Sequence, residues 1–174
     1  MRILVTGGVR SGKSRHAEAL LPADAAVTYV APGRPADGTD PDWDARVAAH
    51  RERRPEGWRT VETAELPTAL TGSPGPVLID CLGTWLTARL DAGWLWERPS
   101  AEAFQAVSAE LDELCGVLAT VPVAVVVTNE VGLGVVPAHR SGMLFRDLLG
   151  TVNQRVAEVC DEVHLVVAGR VLRL

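Results

Sequence analysis

The chain has 174 residues, a net charge of -5, 47% apolar and 22% charged residues. That length suits one well-buried domain, 1–174, and is short for two. The acidic excess argues against a general nucleic-acid binder, which needs a broad basic face, and no apolar run nears the roughly 20 residues that span a bilayer, so neither nucleic acid nor membrane insertion is expected.

Arg2 opens an apolar run, Ile3-Leu4-Val5, that reads as a strand and leads into Gly7-Gly8-Val9-Arg10-Ser11-Gly12-Lys13-Ser14. That octet fits G-x-x-x-x-G-K-[ST], and helix-favouring residues His16 to Leu21 follow at once. Strand, glycine loop and helix in this order are the context of a P-loop. Its glycines let backbone N–H groups close around phosphate oxygens. Lys13 would reach the β/γ-phosphates and the Ser14 hydroxyl would hold Mg²⁺. The alternative is a glycine-rich turn that binds nothing. The strand-like start leaves no room for a signal peptide. With three widely spaced cysteines, Cys81, Cys115 and Cys160, it points to a reducing cytoplasm rather than a disulfide framework or zinc site.

Ala26 to Ala31 reads as a second buried strand, closed by Pro32-Gly33. After a polar loop, Asp42 can cap a helix from about Trp43 to Arg54, ended by Pro55-Glu56-Gly57. Trp58 to Glu62 is a short strand and Ala64 to Leu70 a short helix, and a Gly/Pro turn leads into the strand Val77-Leu78-Ile79-Asp80. Thr84 to Leu90 is helical, and Ser100 can cap an amphipathic helix over Ala101 to Leu118. Val121 to Thr128 is apolar enough to be buried on both faces. A glycine- and proline-bearing loop, Val131 to Ser141, precedes a helix from Gly142 to Cys160. Glu162 to Val167 and Val171 to Leu174 are strands joined by a tight turn at Ala168-Gly169, an antiparallel edge. The alternation predicts one α/β, P-loop NTPase-like domain with a mainly parallel sheet and helices on both faces.

Ligands in such a sheet bind at the carboxyl ends of the strands. Asp80 has the place of a Walker B acid, which would orient Mg²⁺ directly or through its water shell; a helix cap or solvated strand end is the other reading. Asn129 and Glu130, after the most apolar strand, can bind substrate hydroxyls or amides, or belong to a merely flexible loop. Ala45 to Arg54 carries four arginines and His50, with Arg46 and His50 four residues apart on one predicted helix face. An imidazole among guanidinium groups can serve as general base or as nucleophile toward a phosphate. A salt-bridged solvated helix has the same spacing. His16, His139 and His164 read as surface or structural.

Five segments in this order, TGGVRSGKSRHAE, ARVAAHRERRPEGWRTVE, VLIDCLGTWLT, VTNEVGLGVVP and FRDLLGTVNQRVAEVCDEVHLVVAG, span nearly the whole chain. They resemble the bifunctional adenosylcobinamide kinase / adenosylcobinamide-phosphate guanylyltransferase (CobU) family of cobalamin biosynthesis. The resemblance implies phosphorylation of adenosylcobinamide from GTP or ATP. It then implies transfer of GMP from GTP, through a guanylylated histidine, to adenosylcobinamide phosphate. The modified histidine falls on His50. Gly7 to Ser14 carry over as the triphosphate site, and Ala31, Pro32, Gly33, Arg51, Glu52, Arg53, Arg54, Glu62 and Asp80 as nucleotide-binding positions. A homotrimer is implied as well. The chain departs from the family at Ala49, where some relatives have a second histidine, and at Arg53, where glycine is common. It departs again at Pro32, in place of a small hydroxyl residue, and at Ala88, in place of a frequent asparagine.

Overall fold

In the computed structural model, which describes residues 1–174, seven strands form one sheet and six helices accompany it. They are β1 (Arg2–Gly7), α1 (Lys13–Ala19), β2 (Thr28–Ala31), α2 (Pro41–Glu52), β3 (Arg59–Glu62), α3 (Leu66–Thr71) and β4 (Val77–Asp80). There follow α4 (Leu82–Ala92), α5 (Ser100–Leu118), β5 (Ala124–Val127), α6 (Arg140–Glu158), β6 (Glu162–Val167) and β7 (Arg170–Arg173). The strand order is β3-β2-β4-β5-β1-β6-β7. All pairings are parallel except β6 with β7, the antiparallel edge that the sequence predicts.

Alternation in the central strands divides the core between the two faces of the sheet. Leu4, Ile79 and Val126 face a cluster of 24 buried residues with α3, α4, α5 and α6. Ile3, Val5, Leu78, Val125 and Val127 face a second cluster of 11 with Ala17 of α1, Tyr29 and Trp58. The amphipathic stripe of α5 buries Ala103, Val107, Leu111, Leu114, Cys115 and Leu118, the spacing that places one helical face on a sheet.

Several helix starts differ from the sequence reading. Asp40, not Asp42, caps α2: its carboxylate accepts from the Trp43 N–H at 3.1 Å, and Pro41 takes the first turn, where its missing N–H costs nothing. Asp42 sits inside the first turn instead. Ser100 is the first residue of α5 and its side chain caps nothing; Pro99 precedes it. α4 begins at Leu82 because Cys81 and Thr84 bond reciprocally as a cap. α6 begins at Arg140, whose guanidinium donates to the carbonyls of Trp96 and Arg98 and fixes that end of the helix to the loop between α4 and α5. No helix is long and apolar enough to cross a membrane.

Candidate active site

β1 delivers the glycine loop to the carboxyl edge of the sheet, as the sequence requires. A Cβ at Gly7 would lie 2.4 Å from the Val166 carbonyl oxygen and 2.7 Å from Ser11 Oγ, so only glycine fits beside β6. Arg10 and Gly12 take positive φ angles of 55° and 94°, the left-handed geometry from which anion-binding backbone nests are made. The tip of the β6–β7 hairpin closes the loop from the other side, with Gly169 N–H donating to Ser11 O at 2.8 Å.

Lys13 is buried, and its ammonium donates to the Gly8 carbonyl at 3.2 Å. Burial pushes its pKa below the usual lysine value, and no carboxylate makes an ion pair with it. A cation so placed has an unmet need for an anion. Ser14 lines the same cleft, and its hydroxyl bonds no other residue of the chain.

His50 lies in the last turn of α2, a helix with no buried residue. Its Nδ1 is 3.8 Å from Asp80 Oδ2, with the histidine side chain 23% and the aspartate 8% exposed. The same Asp80 oxygen accepts the Tyr29 hydroxyl at 3.0 Å, and Arg54 stacks its guanidinium 3.5 Å from the Tyr29 ring centre. Arg53 approaches His50 Nδ1 at 3.4 Å and is held by Glu18 of α1 at 3.0 Å. Burial lowers the His50 pKa below the usual histidine value; Asp80 opposes this, and Arg53 and Arg46 reinforce it. The ring therefore stays neutral, and nucleophilic, to lower pH than a free imidazole.

Two clefts meet at this point. The larger, about 1010 Å³, is lined by Arg10 to Arg15 of the P-loop and by Arg46, His50 and Arg53. The smaller, about 260 Å³, is lined by Tyr29, Trp43, Glu62, Asp80 and Asn129 on its far side, again with Arg46 and His50.

Ala31, Gly33, Arg54, Glu62, Asp80 and Asn129 of the residues singled out in the sequence border the smaller cleft. Arg53 borders the larger one, and Arg51 pairs with Glu62. Pro32 is buried and borders neither cleft, Glu52 is exposed without a partner, and Glu130 accepts from its own loop at Gly132 N–H, 2.8 Å. Tyr29 and Glu18 escape sequence reading because their partners, Asp80 and Arg53, are 51 and 35 residues away. The one available signal is a phenol in a short strand whose pattern predicts burial. His164 is structural: it is 1% exposed and joins His16 at 2.9 Å to Glu162 at 2.8 Å.

The family model for cobinamide kinase / cobinamide phosphate guanyltransferase matches residues 3–174. The bifunctional adenosylcobalamin biosynthesis protein CobU of Escherichia coli (strain K12) is 44% identical, over 97% of each chain. Its counterpart in Salmonella typhimurium (strain LT2) is 42% identical over the same shares. The bifunctional adenosylcobalamin biosynthesis protein CobP of Pseudomonas aeruginosa (strain PAO1) is 38% identical over 97% of this chain and 94% of its own. Among solved structures, an ATPase of the type III secretion system of pathogenic bacteria superposes with a TM-score of 0.53 at 12% identity. The match takes in 94% of this chain and about 50% of the ATPase chain, a likeness of fold alone.

Proposed function

The chain belongs to the cobinamide kinase / cobinamide phosphate guanyltransferase family, and from that premise we propose how its residues divide the two reactions. The enzyme phosphorylates adenosylcobinamide and then transfers GMP from GTP to adenosylcobinamide phosphate, giving adenosylcobinamide-GDP. Residues Gly7 to Ser14 hold the triphosphate, with Lys13 on the β/γ-phosphates. His50 is the nucleophile that carries GMP. The observation that supports this most is that His50 and the P-loop line the same cleft, while Asp80 stands at Nδ1 and leaves Nε2 free.

In the first guanylyl step, His50 Nε2 attacks the α-phosphorus of GTP. A P–N bond forms, the bond from that phosphorus to the bridging oxygen breaks, and pyrophosphate leaves with the electron pair. The Nδ1 proton stays on the ring, facing Asp80, which offsets the positive charge on the imidazole. In the second step a phosphate oxygen of adenosylcobinamide phosphate attacks the same phosphorus, and the ring nitrogen takes back its pair.

A magnesium ion fits this site: the Ser14 hydroxyl without an intramolecular partner and the Asp80 carboxylate are hard oxygen donors of the kind Mg²⁺ takes beside phosphates and water. Its contribution would be to neutralise phosphate charge. The chain holds no cluster of three or more His, Cys, Asp or Glu side chains suited to a metal. Asn129 lines the smaller cleft and is our candidate for the acceptor. We further read the enzyme as a cytoplasmic homotrimer, which light scattering on the purified protein would test.

The deciding experiment is incubation with α-labelled GTP and Mg²⁺. An acid-labile, base-stable label is expected on the wild type and none on His50→Ala. Equal labelling of the variant would reject His50 as the carrier. Phosphoryl transfer to adenosylcobinamide with no adduct on the wild type would instead point to a simple kinase.

A further inference from the structure

The arginines around His50 are not equivalent. Arg51 pairs with Glu62, Arg53 is held by Glu18, and Arg54 donates to Thr60 Oγ1 at 2.9 Å while stacking on Tyr29. Arg46 makes neither an ion pair nor a hydrogen bond. Asp42, one turn earlier on α2, lines the larger cleft too but lies outside ion-pair distance of Arg46. An exposed arginine without a partner is ordinary in itself. Its position is not: Arg46 and His50 are the two residues common to both clefts. Arg46 thus borders the cleft that also holds Lys13 and the P-loop, with no ion pair of its own, and a guanidinium so placed is open to an incoming phosphate.

We propose that Arg46 is a further catalytic residue of guanylyl transfer, binding the non-bridging oxygens of the α-phosphate in both half-reactions. The proposal rests on the reading that His50 carries GMP. Lys13 belongs to the β/γ-phosphates, which depart as pyrophosphate once the P–N bond has formed. The GMP phosphate left on His50 then needs a cation of its own. Arg53 is committed to Glu18, whereas Arg46 stands four residues before His50, on the same side of α2. Its planar fork matches two phosphoryl oxygens, as a lysine's point charge does not. Because it borders both clefts, it can keep that contact while the leaving pyrophosphate and the incoming acceptor phosphate exchange places. No proton or electron pair passes through the guanidinium; it offsets charge on the α-phosphoryl oxygens as the P–N bond forms and breaks.

The test is single-turnover guanylylation with α-labelled GTP at saturating nucleotide, using Arg46→Ala and Arg46→Lys beside wild type and His50→Ala. Arg46→Ala should form the adduct about 10²–10³-fold more slowly, the scale of losing one preorganised donor to a reacting oxyanion. Its equilibrium affinity for GTP should change less than about tenfold, since the P-loop is untouched, and its thermal midpoint should not move because Arg46 has no partner to lose. Arg46→Lys should recover part of the rate. Adduct isolated from Arg46→Ala should pass GMP to adenosylcobinamide phosphate more slowly than wild-type adduct. Wild-type rates in Arg46→Ala, or a defect confined to GTP affinity, would overturn the proposal. Labelling of His50→Ala would overturn the reading beneath it, so the two failures are separable.

Discussion

Tyr29 lines the smaller cleft and at the same time holds in place a carboxylate on which the site depends. Its hydroxyl donates to Asp80 in a region where both groups are largely shut off from water, and burial pushes its own pKa far above that of a free phenol. Tyr29→Phe leaves the carboxylate short of a donor. Unfolding free energy should fall by about 1.5–3 kcal/mol, the worth of a hydrogen bond to a charged partner, as read from urea denaturation. Gly7→Ala is the severer change, because the intruding Cβ meets the Val166 backbone and not a movable side chain. Nucleotide affinity should drop at least tenfold, measured by equilibrium binding. The P-loop was legible in the sequence because eight consecutive residues form it, so local spacing carries the whole signal. The meeting of His50 with Asp80 was not, since it depends on β2 and β4 lying side by side and on α2 crossing their ends. The family resemblance, not the spacing, singled out His50.

α2 is the weakest-held of the longer helices. It buries no residue, whereas α5 buries six and α6 five. Its attachments are polar: the Asp40 cap, Trp43 Nε1–H to the Arg34 carbonyl at 2.9 Å, Arg51 to Glu62 and Arg53 to Glu18. Asp40→Ala should therefore cost about 1 kcal/mol locally. Amide exchange of α2 should accelerate about fivefold, with the global unfolding midpoint nearly unmoved. The same contrast explains which elements the sequence revealed well. Periodic apolar spacing marked α5 and its neighbours, and the all-apolar β5 was plain. Helix starts were less so: Asp40 and Asp42 are equally good caps by type, and only the path of the chain through Pro41 decides between them. The start of α6 depends on Arg140 reaching back more than forty residues to the loop before α5, which no local rule anticipates.

At the scale of the molecule, the two clusters flanking the sheet explain the behaviour of the cysteines. All three are free, and burial raises the pKa of each, Cys160 up to about 12. Because the thiolate is the reactive form, none should react quickly with a disulfide reagent at pH 8 in native buffer, and all three should react in denaturant. One fast thiol in the native protein would contradict the packing around it. The parallel sheet with its antiparallel edge was legible from the alternation of elements, but the strand order was not. β1 lies between β5 and β6, so Ile3 faces Val125 on one side and Glu162 on the other. Gly169 then supplies a hydrogen bond to the glycine loop. On the ribosome, therefore, the first strand waits unpaired while more than a hundred residues are added, some ten seconds at roughly 5–20 residues per second. Nascent chains stalled before the last hairpin would display the whole phosphate motif yet lack its neighbour β6, so nucleotide could not rescue them from proteases. Competence to bind nucleotide should therefore appear only after β6 has been made.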